Sequence, residues 1–306
     1  MEKANELPVK AVDAIEEAAG TFPGYRRAHA KGDYYEAVFT PNGKASAFTT
    51  APHLLHTPVP AIVRFSNSSP NPTHADALTP PKGMAVQFQL PDGSVTNLIA
   101  VTIPIFFAKT PEAFVEIMKF FKSAEEGIPN LKELMKIAVN YPESKVSFKM
   151  IKEMRSPLSF AMARYFSIHV FNFINKDGRK QPIKYQWEPD AGLGMYGKLE
   201  AADYSADYLN EELTERVERE PVVFTLMIQL GEEGDPTDDP TAAWPAERQT
   251  IEIGHLTISK KLVDPPDMVL FDPTIVPEGI ECSDDPILHF RHDAYAVSYN
   301  RRIHGK

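Results

Sequence analysis

Eight short runs of apolar and β-branched residues read as strands: 33–40, 60–67, 84–90, 94–101, 167–174, 182–188, 222–230 and 250–260. Asp92-Gly93 sits between the third and fourth runs and is a strong hairpin signal; Lys176-Asp177-Gly178 turns the fifth run into the sixth. Helical spacing takes over between 111 and 155, where at least two amphipathic helices are predicted, one of them showing Phe114, Ile117, Met118 and Phe121 on a single face. Residues 9–20 are spaced as a helix that starts near Pro8 and stops at Gly20, and 209–219 form a polar helix. Pro286 suits the first turn of a last helix, since no Gly or Pro follows until Gly305. The pattern predicts an α+β chain built on an eight-stranded antiparallel β-barrel. A single domain over 1–306 is expected, with an N-terminal helix within 1–21, a helical insertion at 111–165 and a C-terminal helix at 284–303. Eight strands leave an interior that holds one small ligand.

Composition narrows the setting. A chain of 306 residues, 43% hydrophobic and 24% charged, has ordinary globular material. The net charge of −10 and the lack of a long basic tract argue against nucleic acid and anionic membrane as partners. No stretch of about 18 apolar residues occurs, and Met1–Glu6 show no apolar leader. Cys282 is the one cysteine, so a reducing, cytoplasmic setting is expected. The 27 prolines cluster at 52–60, 70–81, 235–245 and 265–277 and read as ordered connections. Self-association stays open.

The C-terminal helix carries the first candidate chemistry. Arg291 and Tyr295 are i and i+4 on one face, which Ser298 and Arg302 continue. The plain reading is a solvated helix with a basic last turn. The chemical reading starts from the phenol, whose pKa of about 10 normally makes it a poor ligand. A ferric iron and a neighbouring cation would hold it as phenolate, and tyrosinate is one of the few axial haem ligands proteins use. Arg291-x-x-x-Tyr295 with Arg302 seven residues on resembles the proximal-ligand helix of the catalase family. Phe271-Asp272-Pro273 and Val276–Glu281 are similar to that family's approach to the helix.

Other parts of the resemblance run in the family's order from about residue 22 to 302. Arg26-Arg27-Ala28-His29-Ala30-Lys31-Gly32 resembles the distal-histidine motif, which makes His29 the acid–base group and Arg26 a partner of a haem propionate. A neutral imidazole is able to take a proton from one peroxide oxygen and return it to the other. Val63-Arg64-Phe65-Ser66 resembles the strand whose Arg binds a propionate and whose Ser orients the histidine. Arg64 on an apolar strand needs an anionic partner. Lys82–Phe88, Pro104–Phe107 and Phe114 match further family stretches, with Phe114 implied over the distal side of haem. Tyr165–Phe171 and Tyr185–Trp187 resemble the following hairpin, with His169 sharing a strand face with Phe171 and Phe173 as a structural residue.

One departure bears on activity. The family's large members have Gly-Asn-Asn-Thr-Pro where this chain has Ala100-Val101-Thr102-Ile103-Pro104, so Val101 stands in the slot of a peroxide-binding Asn. Thr102 is a poor substitute, because adjacent strand residues point to opposite faces. The resemblance therefore implies a ferric haem b peroxidase. His29, Ser66 and Arg291 serve catalysis, Arg26, Arg64, Phe114, Arg302 and Tyr295 hold the cofactor, and Tyr295 ligates iron. Its partners would be a peroxide and a small organic electron donor, with weak catalase activity. Three other readings stay open: rearrangement of organic hydroperoxides on the same scaffold, a non-enzymatic haem-binding barrel, and a zinc hydrolase using His53-x-x-His56 or His289-x-x-His292. Asp235–Pro240 reads as a Pro-turned surface loop rather than a calcium site.

Overall fold

A computed structural model describes residues 6–125, 131–197, 204–263 and 269–305, with the side chains of 122–125 and 131–134 outside that description. The first residues of the N-terminal segment and the start of the last proline cluster, 264–268, also lie outside it. Ten strands form one antiparallel sheet: β1 Gly32–Pro41, β2 Val59–Asn67, β3 Lys82–Gln89, β4 Val95–Val101, β5 Tyr165–Phe166, β6 Phe171–Ile174, β7 Lys180–Pro189, β8 Val222–Leu230, β9 Thr250–Lys261 and β10 Ile280–Cys282. The order β7-β5-β4-β3-β2-β1-β9-β8 closes on itself through the β7–β8 ladder, giving a barrel of eight strands. The two turn signals hold, with Gly93 and Gly178 both at positive φ.

The expected strand at 167–174 is the one that differs. β5 pairs with Gln186 and Trp187, and β6 pairs with residues 180–183 on the same side of β7. They are two pieces of one barrel strand. The break between them frees His169 from the alternation that buries Phe171 and Phe173, and its ring instead meets Asp285 and Arg291.

The barrel interior is solid. Tyr35, Phe39, Phe65, Phe88, Trp187 and Phe224 are almost wholly inaccessible and pack edge-on or stacked, as Phe39 does on Phe88 at 5.4 Å. The expectation of an interior that holds a ligand is therefore corrected: large aromatic rings fill the space at the density of a protein core. What remains is the outer face of β1–β4, where Tyr34, Arg64, Ser66, Gly83 and Val101 alternate with those core residues.

Six α-helices occur among the described residues: α1 Leu7–Ala19, α2 Pro111–Glu125, α3 Leu131–Asn140, α4 Ser144–Glu153, α5 Tyr208–Arg219 and α6 Pro286–Ile303. The insertion ends its last helix at Glu153, short of 165. Ala11 and Ala14 of α1 pack on Val115 of α2, with Phe114, Met118 and Phe290 around them, so α1 joins α2 to α6. Asp285 caps α6 by accepting from the backbone of Ile287 and Leu288. Among the described residues no helix is long and apolar enough to cross a membrane.

Candidate active site

One row of cross-strand partners organises the first wall. Gly32 faces Ser66, Ser66 faces Gly83, Gly83 faces Val101, and Val101 faces Phe166. His29 lies just before β1 with φ 53, a left-handed conformation that His tolerates better than most residues. Its ring rests on Gly83: a Cβ there would stand 2.7 Å from Nδ1 and 2.8 Å from the Ser66 hydroxyl. Close approach, rather than a turn, is what requires glycine at this position. Nδ1 lies 3.0 Å from Ser66 Oγ, so Nε2 is the nitrogen offered to a reactant. Arg64 Nη2 donates to the carbonyls of His29 and Ala30 at 2.9 and 3.1 Å and so holds the backbone bend. Burial, followed by the charges of Arg64, Arg291, Arg26 and Lys82, lowers the His29 pKa to about 3. The imidazole is neutral and available as a base.

Three guanidiniums gather along the edge of this wall around the Tyr34 phenol. Arg26 donates to Tyr34 at 3.0 Å and to the Val269 carbonyl at 2.8 Å. Arg64 lies over the Tyr34 ring, and Arg302 of α6 is close enough for its charge to act on the same phenol. Burial and then Arg26 lower the pKa of both Arg64, to about 10, and Arg302. Buried Arg64 Nε and Arg302 Nη2 have no hydrogen-bond partner. Clustered guanidiniums with unanswered N–H groups can hold a carboxylate, because the guanidinium fork matches carboxylate geometry. Residues 26, 64 and 302, read from three distant motifs, meet here.

The second wall is α6. Arg291 Nε donates to the Tyr295 hydroxyl at 3.2 Å, and Nη2 donates to it as well. Arg291 Nη1 lies 2.9 Å from His169 Nε2, and His169 Nδ1 lies 2.6 Å from Asp285 Oδ2. The cap of α6 is therefore also the far end of a chain Asp285–His169–Arg291–Tyr295. Sequence reasoning missed this: it read His169 as a structural strand residue beside Phe171 and Phe173. His169 and Asp285 stand 116 positions apart, and no local pattern links them. Ser298 of α6 accepts from the backbone of Arg27 at 3.4 Å, which ties α6 to the His29 loop.

Phe114, expected on the distal side of haem, belongs to an aromatic cluster. It stacks on Phe106 and Phe107 at 6.1 and 5.7 Å and packs towards Phe290, so it braces the helix that carries Arg291. Thr102 accepts from the backbone of Lys82 at 3.0 Å, so its hydroxyl is committed to the sheet. Lys82 itself is wholly buried, with Nζ on Asn67 and on the Asp76 and Thr79 carbonyls. Burial lowers its pKa to about 7. The two His-x-x-His pairs hold no shared centre: His53 stacks on Phe88, while His289 bonds the Ser283 carbonyl and His292 bonds Asp272.

Comparison with known proteins agrees with this fold. The family profile described as Catalase matches residues 23–306. A catalase-related peroxidase of Synechococcus elongatus is 32% identical over 302 residues, covering 97% of this chain and 89% of that protein. A catalase-related peroxidase of Mycolicibacterium paratuberculosis is 36% identical over 299 residues, covering 96% and 94%. A solved bacterial catalase superposes with a TM-score of 0.80 at 22% identity, and a fungal catalase with 0.82 at 19%. This chain covers 91% of its own length in each, but spans only 57% and 60% of theirs. With the barrel, the order of its motifs and the near-full-length relatives in agreement, the chain belongs to the catalase family.

Proposed function

We propose that the chain binds haem b between the outer face of β1–β4 and α6, and reduces hydrogen peroxide or organic hydroperoxides with electrons from a small organic donor. The observation that carries this reading is the pairing of a neutral imidazole and a guanidinium-bonded phenol from opposite ends of the chain. Three guanidiniums stand beside them, and two of these, Arg64 and Arg302, carry unanswered N–H groups. The residues fit haem: Arg26, Arg64 and Arg302 for its two carboxylates, and Tyr295 for its iron. Bound haem supplies the redox-active iron at which the peroxide O–O bond is reduced. Arg291 stabilises Tyr295 as phenolate, while His169 and Asp285 fix the guanidinium in place. Ser66 accepts from His29 Nδ1, which leaves Nε2 to take the proton from one peroxide oxygen and return it to the other. We read the whole chain as one cytoplasmic haem-binding unit.

Reconstitution with haem tests this. A high-spin ferric tyrosinate spectrum and peroxide-dependent donor oxidation are expected; a chain that takes up no haem sinks the reading. Gly83→Ala should slow reaction with peroxide roughly 10-fold, with the circular dichroism spectrum unchanged, because the methyl displaces the histidine ring. Val101 stands beside Gly83 in the site row and carries no amide. Oxygen release from hydrogen peroxide should therefore be slow beside donor oxidation. Val101→Asn should raise oxygen release roughly 10-fold while donor oxidation holds, as adding one placed hydrogen-bond donor predicts.

A second reading has its own support. An apolar cavity of about 180 Å³ is lined by Thr102, Met154, Phe166 and Leu193, and Phe166 ends the site row. It suits the apolar body of an organic hydroperoxide. Products formed from a lipid hydroperoxide without any donor would favour rearrangement over reduction.

A further inference from the structure

We propose that Glu16 is a positioning residue whose carboxylate pins the His29 loop to α6, and so sets the gap between the imidazole and the Tyr295 phenol. The proposal rests on reading that gap as the haem slot. Glu16 sits on α1, outside the resemblance that begins near residue 22, and no sequence motif marks it.

The geometry is specific. Glu16 Oε1 accepts from Arg27 Nε, and Oε2 lies 2.6 Å from Arg301 Nη1. Both oxygens are used, one on each wall. Arg27 is adjacent to Arg26 and two residues from His29; Arg301 is adjacent to Arg302 and six residues from Tyr295. Asp13, one turn back on the same edge of α1, accepts from Arg301 Nη2 at 2.7 Å. The contact is sheltered, with the Arg27 side chain 4% exposed and that of Glu16 18%. The opposite edge of α1 buries Ala11, Ala14 and Ala18, so the helix cannot swing without losing its packing on α2.

Charge gives the reason for a carboxylate here. Arg27 and Arg301 are the sequence neighbours of Arg26 and Arg302, which stand with Arg64 around the Tyr34 phenol. Crowded like charges repel unless an anion stands among them. Glu16 and Asp13 answer Arg27 and Arg301. Arg26, Arg64 and Arg302 are left with phenols and carbonyls, and so with capacity for the cofactor's carboxylates. Glu16 thus sorts the cations as well as joining the walls. Without it, Arg27 and Arg301 compete for the same carboxylates and the two walls lose their shared anchor.

The test uses haem-loaded full-length protein. Haem transfer to excess apomyoglobin is followed by absorbance for wild type, Glu16→Gln, Glu16→Ala and Arg301→Gln, alongside thermal melting of each apoprotein. Haem loss should accelerate roughly 10-fold in both Glu16 variants, the scale of losing a sheltered, doubly bonded ion pair. Glu16→Asp, one methylene shorter, should recover part of it. Glu16→Gln combined with Arg301→Gln should be little worse than Glu16→Gln alone, since the two side chains act through one contact. If Glu16→Ala does not fold, the isosteric Glu16→Gln still decides the matter. Lower apoprotein melting with unchanged haem loss would mean that Glu16 only stabilises α1, and overturns the pin. A wild-type chain that binds no haem overturns the haem reading itself, whereas haem held equally by wild type and variants overturns the pin alone.

Discussion

His29→Ala is expected to lower the rate of reaction with peroxide by on the order of 10²-fold or more, the contribution of a placed general acid–base group. Haem uptake should be nearly unchanged, because the imidazole touches Ser66 and Gly83, and Arg64 meets His29 at a backbone carbonyl that alanine keeps. Stopped-flow mixing of the haem-loaded variant with hydrogen peroxide measures it. A variant that keeps wild-type rates would exclude His29 from the chemistry and leave a haem carrier. The same residue gives a pH expectation with a definite sign. Burial, then the surrounding cations, lowers its pKa from the ordinary value of about 6.5 to about 3. The unfolded chain therefore binds this proton more readily than the folded one. The stability tied to His29 is fully present above pH 6.5 and is lost as pH falls from there towards 3. The apoprotein of His29→Gln should melt with a shallower acid dependence over that window than the wild type.

Tyr295→Phe is expected to weaken haem binding by on the order of 10²-fold and to erase the tyrosinate absorption pattern, since the variant keeps the ring and loses the anionic oxygen. Haem titration followed by absorbance gives both readings. The Arg291→Lys variant separates ligation from activation. Lysine keeps the charge but cannot donate to Tyr295 and reach His169 together, as the guanidinium does. It should bind haem about 10-fold more weakly, with its spectrum shifted rather than lost. If Tyr295→Phe binds haem as tightly as wild type with the same spectrum, the iron ligand lies elsewhere.

The reach of sequence reasoning followed the range of the interactions. Turns at Asp92-Gly93 and Lys176-Asp177-Gly178 were legible because a positive φ is a local demand. The eight barrel strands were legible because burial of one face imposes a two-residue period. The stripe Arg291–Tyr295–Arg302 was legible because helical geometry relates neighbours in sequence. The break between β5 and β6 was not, because what drives it is a bond from His169 to a carboxylate on another element. Glu16 escaped for the same reason: a glutamate on a short amphipathic helix looks like any solvated residue until two distant arginines close on it.

Pattern by itself determined the class of fold, while the resemblance to the catalase family pointed to the imidazole at 29, the phenol at 295 and the cations at 26, 64 and 302. The fold class depends on a property that each stretch carries with it, its hydrophobic period. Tertiary structure alone decided where those residues meet. The barrel packs its own aromatic rings into its interior, so the charged positions of β1–β4 face outward, towards α6. Which face of a strand is wet, and which helix covers it, depends on volumes summed over the whole chain, and no local stretch of sequence holds that sum.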